Sequence, residues 1–122
     1  MTASKEQKAL DKRMAMERQV VRKLLAIGNK AGWVCTAIND GEEYVLCLNH
    51  KHIMETVFSV DECGMRFVKT VDGRLIRQSV SIVLGNDGYD AIADHSTNPL
   101  FLAEVMDPMD AYTNAMEAKL HG

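Results

Sequence analysis

The residues best suited to chemistry fall into four groups. His50-Lys51-His52 sets two imidazoles two residues apart. On a strand they share a face and offer two nitrogen ligands to zinc or iron. A third ligand, often a carboxylate, would still be needed. On a helix both rings sit in the first turn, where backbone N–H groups attract an anion. A solvated loop is the more economical reading, because nothing in the sequence fixes a third ligand.

Asp94-His95 has the composition of half a catalytic dyad. Adjacent strand residues point to opposite faces, so Asp94 is expected outside and His95 inside. His95 then meets Gln78 or Val80, according to which residues make the preceding turn, with Phe67 next across. An inward Gln78–His95 hydrogen bond would satisfy both groups. A small-ligand pocket bounded by Phe67, Gln78 and His95 is the sharper alternative.

The third group is an outward row of Arg66, Arg77, Ser79, Ser81 and Asp94. Two arginines and two hydroxyls on an open sheet face suit a phosphate or a partner surface. A solvated face with Arg–Asp pairs explains the row as well. The fourth is the basic N-terminal segment, in which Lys12, Arg13, Arg22 and Lys23 are placed to meet phosphates.

Charge distribution bears on that fourth group. The chain has 122 residues and a net charge of −3, but residues 1–32 carry +5 and residues 33–122 carry −8. The basic segment has no aromatic residue for stacking, and the remainder would repel a polyanion. Nucleic acid is therefore the minority reading. An acidic protein surface is the simpler partner, and residues 85–122, at −6, supply one within the chain or across a dimer.

Other chemistries find little support. Asp90 and Asp94 on one strand would lie about 13 Å apart, too far to share an ion. Asn86-Asp87-Gly88-Tyr89-Asp90 lacks the alternating acids and terminal Glu of a calcium loop and reads as a turn. No phosphate-binding glycine loop, nucleophile elbow or HExxH motif occurs, and no cofactor is expected. Cys35, Cys47 and Cys63 are too few and too irregular for a disulfide framework or a CxxC site.

These groups need elements to hold them. With 47% hydrophobic and 25% charged residues, the chain has the composition of one globular domain. Residues 5–27 read as a helix with Leu10, Met14, Val21, Leu24 and Leu25 on one stripe, interrupted by Glu17. Its first turns, to residue 8, are polar and are expected to fray. Trp33–Ile38 and Tyr44–Leu48 form a hairpin about Asp40-Gly41 that pairs Ile38 with Glu43. Trp33, Cys35, Ala37, Tyr44, Leu46 and Leu48 then share a face, and Cys35 is held away from Cys47. Met65–Val71 and Arg74–Leu84 form a second hairpin about Asp72-Gly73. A further strand over 89–95 continues the meander.

Residues 50–60 admit two readings. Asn49 can cap a helix with Ile53, Met54, Val57 and Phe58 at helical spacing. The run Thr56–Val60 favours a strand, and a strand gives six at even spacing, so a strand is expected. Asn98-Pro99 and Asp107-Pro108 open two C-terminal helices, 99–106 and 108–120.

The stretch from Leu84 to Asn98, LGNDGYDAIADHSTN, resembles uncharacterised small proteins of bacteria and their prophages. The helix–sheet–helix order resembles in architecture that of type III secretion chaperones, which are small, acidic and dimeric.

The expected fold is α+β over residues 1–122. An antiparallel meander of five or six strands is covered on one face by the N-terminal and C-terminal helices. No apolar run is long enough to span a membrane, and the N-terminus lacks the apolar stretch of a secretory signal, so a cytoplasmic protein is expected. The leading functional expectation is a non-enzymatic interaction or adaptor protein acting as a homodimer. A metal- or small-ligand-binding protein or enzyme is the second expectation, and nucleic-acid binding the third.

Overall fold

The computed structural model describes residues 4–47 and 49–121. Ser4 caps the first helix, α1 (Lys5–Lys30), by accepting the Gln7 N–H at 3.1 Å. The helix buries Val20, Val21, Leu24, Leu25 and Gly28. Leu10 and Met14, expected on that stripe, are exposed.

Five strands follow: β1 (Val34–Asn39), β2 (Tyr44–Leu46), β3 (Glu62–Val71), β4 (Arg74–Val83) and β5 (Ile92–His95). They make one antiparallel sheet in the order β2-β1-β3-β4-β5. The β3–β4 hairpin is as expected. Asp72 and Gly73 both have positive φ, 50° and 78°, as a two-residue I′ turn requires.

The first hairpin differs. Asn39 pairs with Tyr44, so four residues form the loop. Asp40 explains this. Its carboxylate takes the N–H groups of Glu42 and Glu43, each at 3.0 Å, and builds a wider turn around itself.

Residues 50–57 are a helix, α2 (His50–Val57), and not the expected strand. Asn49 accepts the His52 N–H at 2.9 Å, and Ile53, Met54 and Val57 are buried along one side. The cap and the burial outweigh the strand preference of the β-branched residues.

The β4–β5 connection is also longer than expected, because β5 begins at Ile92. Asp90 turns back to accept the N–H groups of Asp87 and Gly88. Gly88 (φ 106°) packs so closely on α1 that a Cβ there would meet Met16 at 3.0 Å. Tyr89 is thereby drawn away from the sheet.

At the C-terminus, α3 (Pro99–Phe101), a π-helical stretch Leu102–Met106 and α4 (Asp107–His121) form one helical run where two helices were expected. Pro108 has no N–H to give Glu104, and its ring crowds that carbonyl. The wider π turn relieves the crowding.

All helices lie on one face of the sheet, over Cys35, Ile38, Cys63, Met65, Phe67, Val80 and Ile82. Trp33, Phe101 and Phe67 join the layers. The Trp33 and Phe101 rings meet edge-on at 5.0 Å between centroids, and Phe67 and Phe101 lie 6.0 Å apart. Gly28 makes this approach possible, since a Cβ would come within 3.1 Å of the Trp33 carbonyl oxygen and 3.2 Å of Phe67.

A polar clasp closes one end of that core. Lys69 donates to the Ala31 carbonyl at 2.7 Å and to Glu104 at 2.8 Å. The Trp33 indole N–H donates to the same Glu104 oxygen at 3.0 Å. Lys69 first, and Trp33 second, hold the Glu104 carboxyl below its ordinary value of 4.5. The contact therefore adds stability above the unfolded-state value and loses it as pH falls through the lower folded value. Glu104→Gln is expected to lower the melting temperature at pH 7. The gap to the parent should close as the pH falls below the ordinary carboxyl value and through the lower folded one. Melts followed by Trp33 fluorescence check this, since Trp33 is the only tryptophan. A gap unchanged at low pH would show that charge plays no part in the clasp.

Candidate interaction surface

The second face of the sheet carries no helix. Its side chains stand in rows set by the register. Tyr44, Asn39, Gly64, Ser81 and Asp94 make one row across five strands. Leu46, Ala37, Arg66 and Ser79 make the next, and Val34, Val68 and Arg77 a third. Thus Arg66, Arg77, Ser79, Ser81 and Asp94, the expected outward row, share this face.

What the sequence reading missed is its apolar part. A bulge between Cys35 and Ala37 changes which side chains of β1 face inward. Cys35 stands opposite Phe67 and Ile38 opposite Met65, both on the core side. Ala37, Tyr44 and Leu46 go to the open face instead of sharing a face with Trp33 and Cys35. Leu48, assigned with them, lies outside the described residues. Leu46 is 73% exposed, and Val34, Tyr44 and Leu75 are each about half exposed. Alternation alone placed Ala37, Tyr44 and Leu46 wrongly, because a bulge leaves no mark in hydrophobic spacing.

Arg66 lies 3.8 Å above the Tyr44 ring. This stacking keeps its planar fork extended along the surface. Arg66, aided by Asn39, holds the Tyr44 hydroxyl below its usual range. Gly64 leaves a trough of about 350 Å³ beside them, lined by Asn39, Tyr44, Glu62, Ser79 and Ser81.

The other expected sites come out differently. Phe67 is wholly buried against Phe101. Gln78 stands opposite Phe67, but His95 stands opposite Val80. The expected Gln78–His95 hydrogen bond does not form. Gln78 gives its N–H to the Arg77 carbonyl and accepts the Asn98 N–H at 3.0 Å. His95 Nδ1 lies 2.9 Å from the Ser96 carbonyl oxygen. Both side chains serve the turn into α3. Asp94 and His95 do fall on opposite faces, as alternation required, so no imidazole serves Ser79 or Ser81 from that position.

His50 and His52 occupy the first turn of α2. Two residues apart on a helix, they diverge by about 200° and do not face one ion. No cluster of three or more His, Cys, Asp or Glu suited to a metal ion occurs among the described residues. The thiols are poor ligands or nucleophiles at neutral pH. Burial pushes Cys35 up to about 12 and Cys63 up to about 11. Cys35 and Cys47 are unpaired but line one small cleft, not opposite faces, because Cys47 follows the bulge and bonds the Thr36 carbonyl.

The basic residues of α1 do not form a single patch. Lys12 borders a cleft with the end of α4, and Lys23 lies 5.5 Å over the Tyr112 ring. Arg22 faces α2. Arg13 turns inward to Glu17, with Nε 3.6 Å from a carboxylate oxygen. Although α4 packs along α1, no ion pair joins the two helices among the described residues.

Comparison with protein-family models, curated proteins and solved structures finds no match. The functional reading therefore stands on geometry.

Glu17, the polar break in the apolar stripe, is only 2% exposed and accepts the Gly85 N–H at 2.8 Å. It ties the β4–β5 loop to α1. Glu17→Ala removes a buried carboxylate and the acceptor of the part-buried Gly85 N–H and is expected to cost about 1–3 kcal/mol. Glu17→Gln keeps an amide oxygen there and should cost clearly less. Urea unfolding of both variants checks the order, and equal losses would remove the hydrogen bond as the cause.

Proposed function

We propose that this chain is a small non-enzymatic interaction protein that pairs with a second copy of itself through the open face of its sheet. The observation that carries the reading is the row structure of that face. Val34, Tyr44, Leu46 and Leu75 stand exposed among Arg66, Arg77, Ser79 and Ser81. Apolar side chains interleaved with arginine and tyrosine match the composition of interface cores, where Tyr and Arg are enriched. The face measures about 20 Å across five strands and about 33 Å along β3 and β4. That area is of the order of one side of a standard interface.

Two further features support the setting. No described helix is long and apolar enough to cross a membrane. The three cysteines are unpaired, two of them buried, which suits a reducing cytoplasm. An adaptor of this kind would have the small, acidic, dimeric character that the resemblance to secretion chaperones implies.

The test is light scattering on a sizing column over a range of concentrations. The parent chain is expected to run as a dimer. Leu46→Lys with Leu75→Lys is expected to run as a monomer with a melting temperature close to the parent's, because both side chains are exposed. A parent that stays monomeric at about 0.5 mM, well above ordinary dimer constants, would sink the reading.

A further inference from the structure

A second surface lies on the opposite side of the molecule, between α1 and α2. Arg18 and Arg22, one turn apart on α1, face His50 and Lys51 at the start of α2 across a groove of about 560 Å³. Met54, Glu55, Phe58 and Ser59 complete its walls. Arg18 stacks on Phe58, with its guanidinium carbon 4.6 Å from the ring centroid. The ion pairs among the described residues are Arg13–Glu17, Lys51–Glu55 and Lys69–Glu104. Arg18 and Arg22 thus have no acidic partner among the described residues. The Lys51–Glu55 pair is long, at 3.9 Å, and exposed, so Lys51 is easily drawn elsewhere.

We propose that this groove binds an acidic, partly apolar segment of another protein. Its carboxylates pair with Arg18, Arg22 and Lys51, and its apolar side chains lie along Phe58 and Met54. Three features favour this occupant. Arg18 rests on Phe58 and forms no ion pair among the described residues, which leaves its N–H fork for a two-point contact with a carboxylate. The groove lies between two helices, a geometry that accepts a short helix or extended segment. Its basic side chains meet only Glu55 as a competing acid within the groove.

Nucleic acid fits less well. Arg18 already covers a face of Phe58 that a base would use for stacking. A polyanion longer than the groove would also meet the acidic remainder of the chain, at −8. A second copy fits less well too. The acidic C-terminal helix α4 turns Met109, Tyr112 and Met116 into its own core and has no apolar face left for Phe58. The groove and the open sheet face lie on opposite sides, so this inference does not depend on self-association.

The probe is a labelled synthetic peptide helix that carries Glu and Leu on one face. It is titrated into the full chain by fluorescence anisotropy and by amide chemical shifts. Saturable binding is expected, with shifts centred on Arg18, Arg22 and His50 to Glu55. Arg18→Glu with Arg22→Glu is expected to weaken it by roughly ten-fold or more. Lys12→Glu with Lys23→Glu makes the same charge change elsewhere on α1 and should alter it by less than about two-fold. Arg22→Glu with Lys51→Glu leaves the Phe58 stack intact and should repeat the ten-fold loss if the first variant unfolds. The same peptide with Gln for Glu should not bind. Leu46→Lys with Leu75→Lys should bind as the parent does, whatever its oligomeric state. Absence of saturable binding would overturn the proposal. So would equal losses in the groove and Lys12/Lys23 variants, or tighter binding of single-stranded oligothymidylate at the same residues.

Discussion

Between Cys35 and Ala37, strand β1 carries one residue more than the segment of β3 it pairs with, and the effect reaches both faces of the sheet. Before the bulge, β1 turns Cys35 towards Phe67 and the helices. Beyond it, Ile38 takes the core position against Met65, while Ala37 joins Arg66 outside. Without the extra residue, period-two alternation would put Ile38 in solvent and Ala37 in the core. The bulge thus closes the core with a large side chain. It also sends Tyr44 and Leu46 of the paired strand to the uncovered face. The exposed apolar character of that face follows from how the core is filled.

Helix packing depends on the same arrangement. Trp33 directly precedes β1, and its ring must reach Phe101 at the start of the C-terminal helical run. Gly28 permits the approach by offering no Cβ against Phe67 or the Trp33 carbonyl. Glu104 sits in the π-helical stretch that Pro108 forces, and its carboxylate receives both the indole N–H and the Lys69 ammonium. The irregularity in the helix therefore sits at the aromatic contact itself, where it brings Glu104 to Trp33 and Lys69.

How much of this the sequence disclosed follows from the range of the forces involved. Asp72-Gly73 was legible because a two-residue I′ turn is set by local backbone preference. So was the N-cap at Asn98, whose side chain takes the Leu100 and Phe101 N–H groups. The helix at 50–57 was legible only as an alternative, because the Asn49 cap competed with the β-branched residues after it. The inward Lys69 had a trace in the sequence. It shares the parity of Met65, Phe67 and Val71, so a lysine on the core side of β3 already asked for an acidic partner. The identity of that partner, Glu104, lies 35 residues away and needed the fold. Of the candidate site, the outward Arg and Ser positions were legible by alternation. Tyr44 and Leu46 beside them were not, because only pairing with β3 reveals the bulge.

The charge division of the chain also takes a different meaning in three dimensions. A +5 segment beside a −8 remainder suggests attraction between them. Yet α4 lies along α1 mainly through Met109, Tyr112 and Met116, with Lys23 over an aromatic ring in place of a carboxylate. Among the described residues, only Arg13 of the α1 cations is paired with an acid, Glu17, on the same helix. The remaining positive charge of α1 is left to solvent or to a partner. Arg18 and Arg22 are the part of it that faces a second basic element and an apolar floor. Arg18 is partly desolvated and fixed by its stacking on Phe58, so an acidic partner gains more there than at the exposed Lys12. The two uncovered surfaces thus differ in kind. The sheet face offers area and shape to a similar surface, whereas the groove offers directed positive charge to an acidic one.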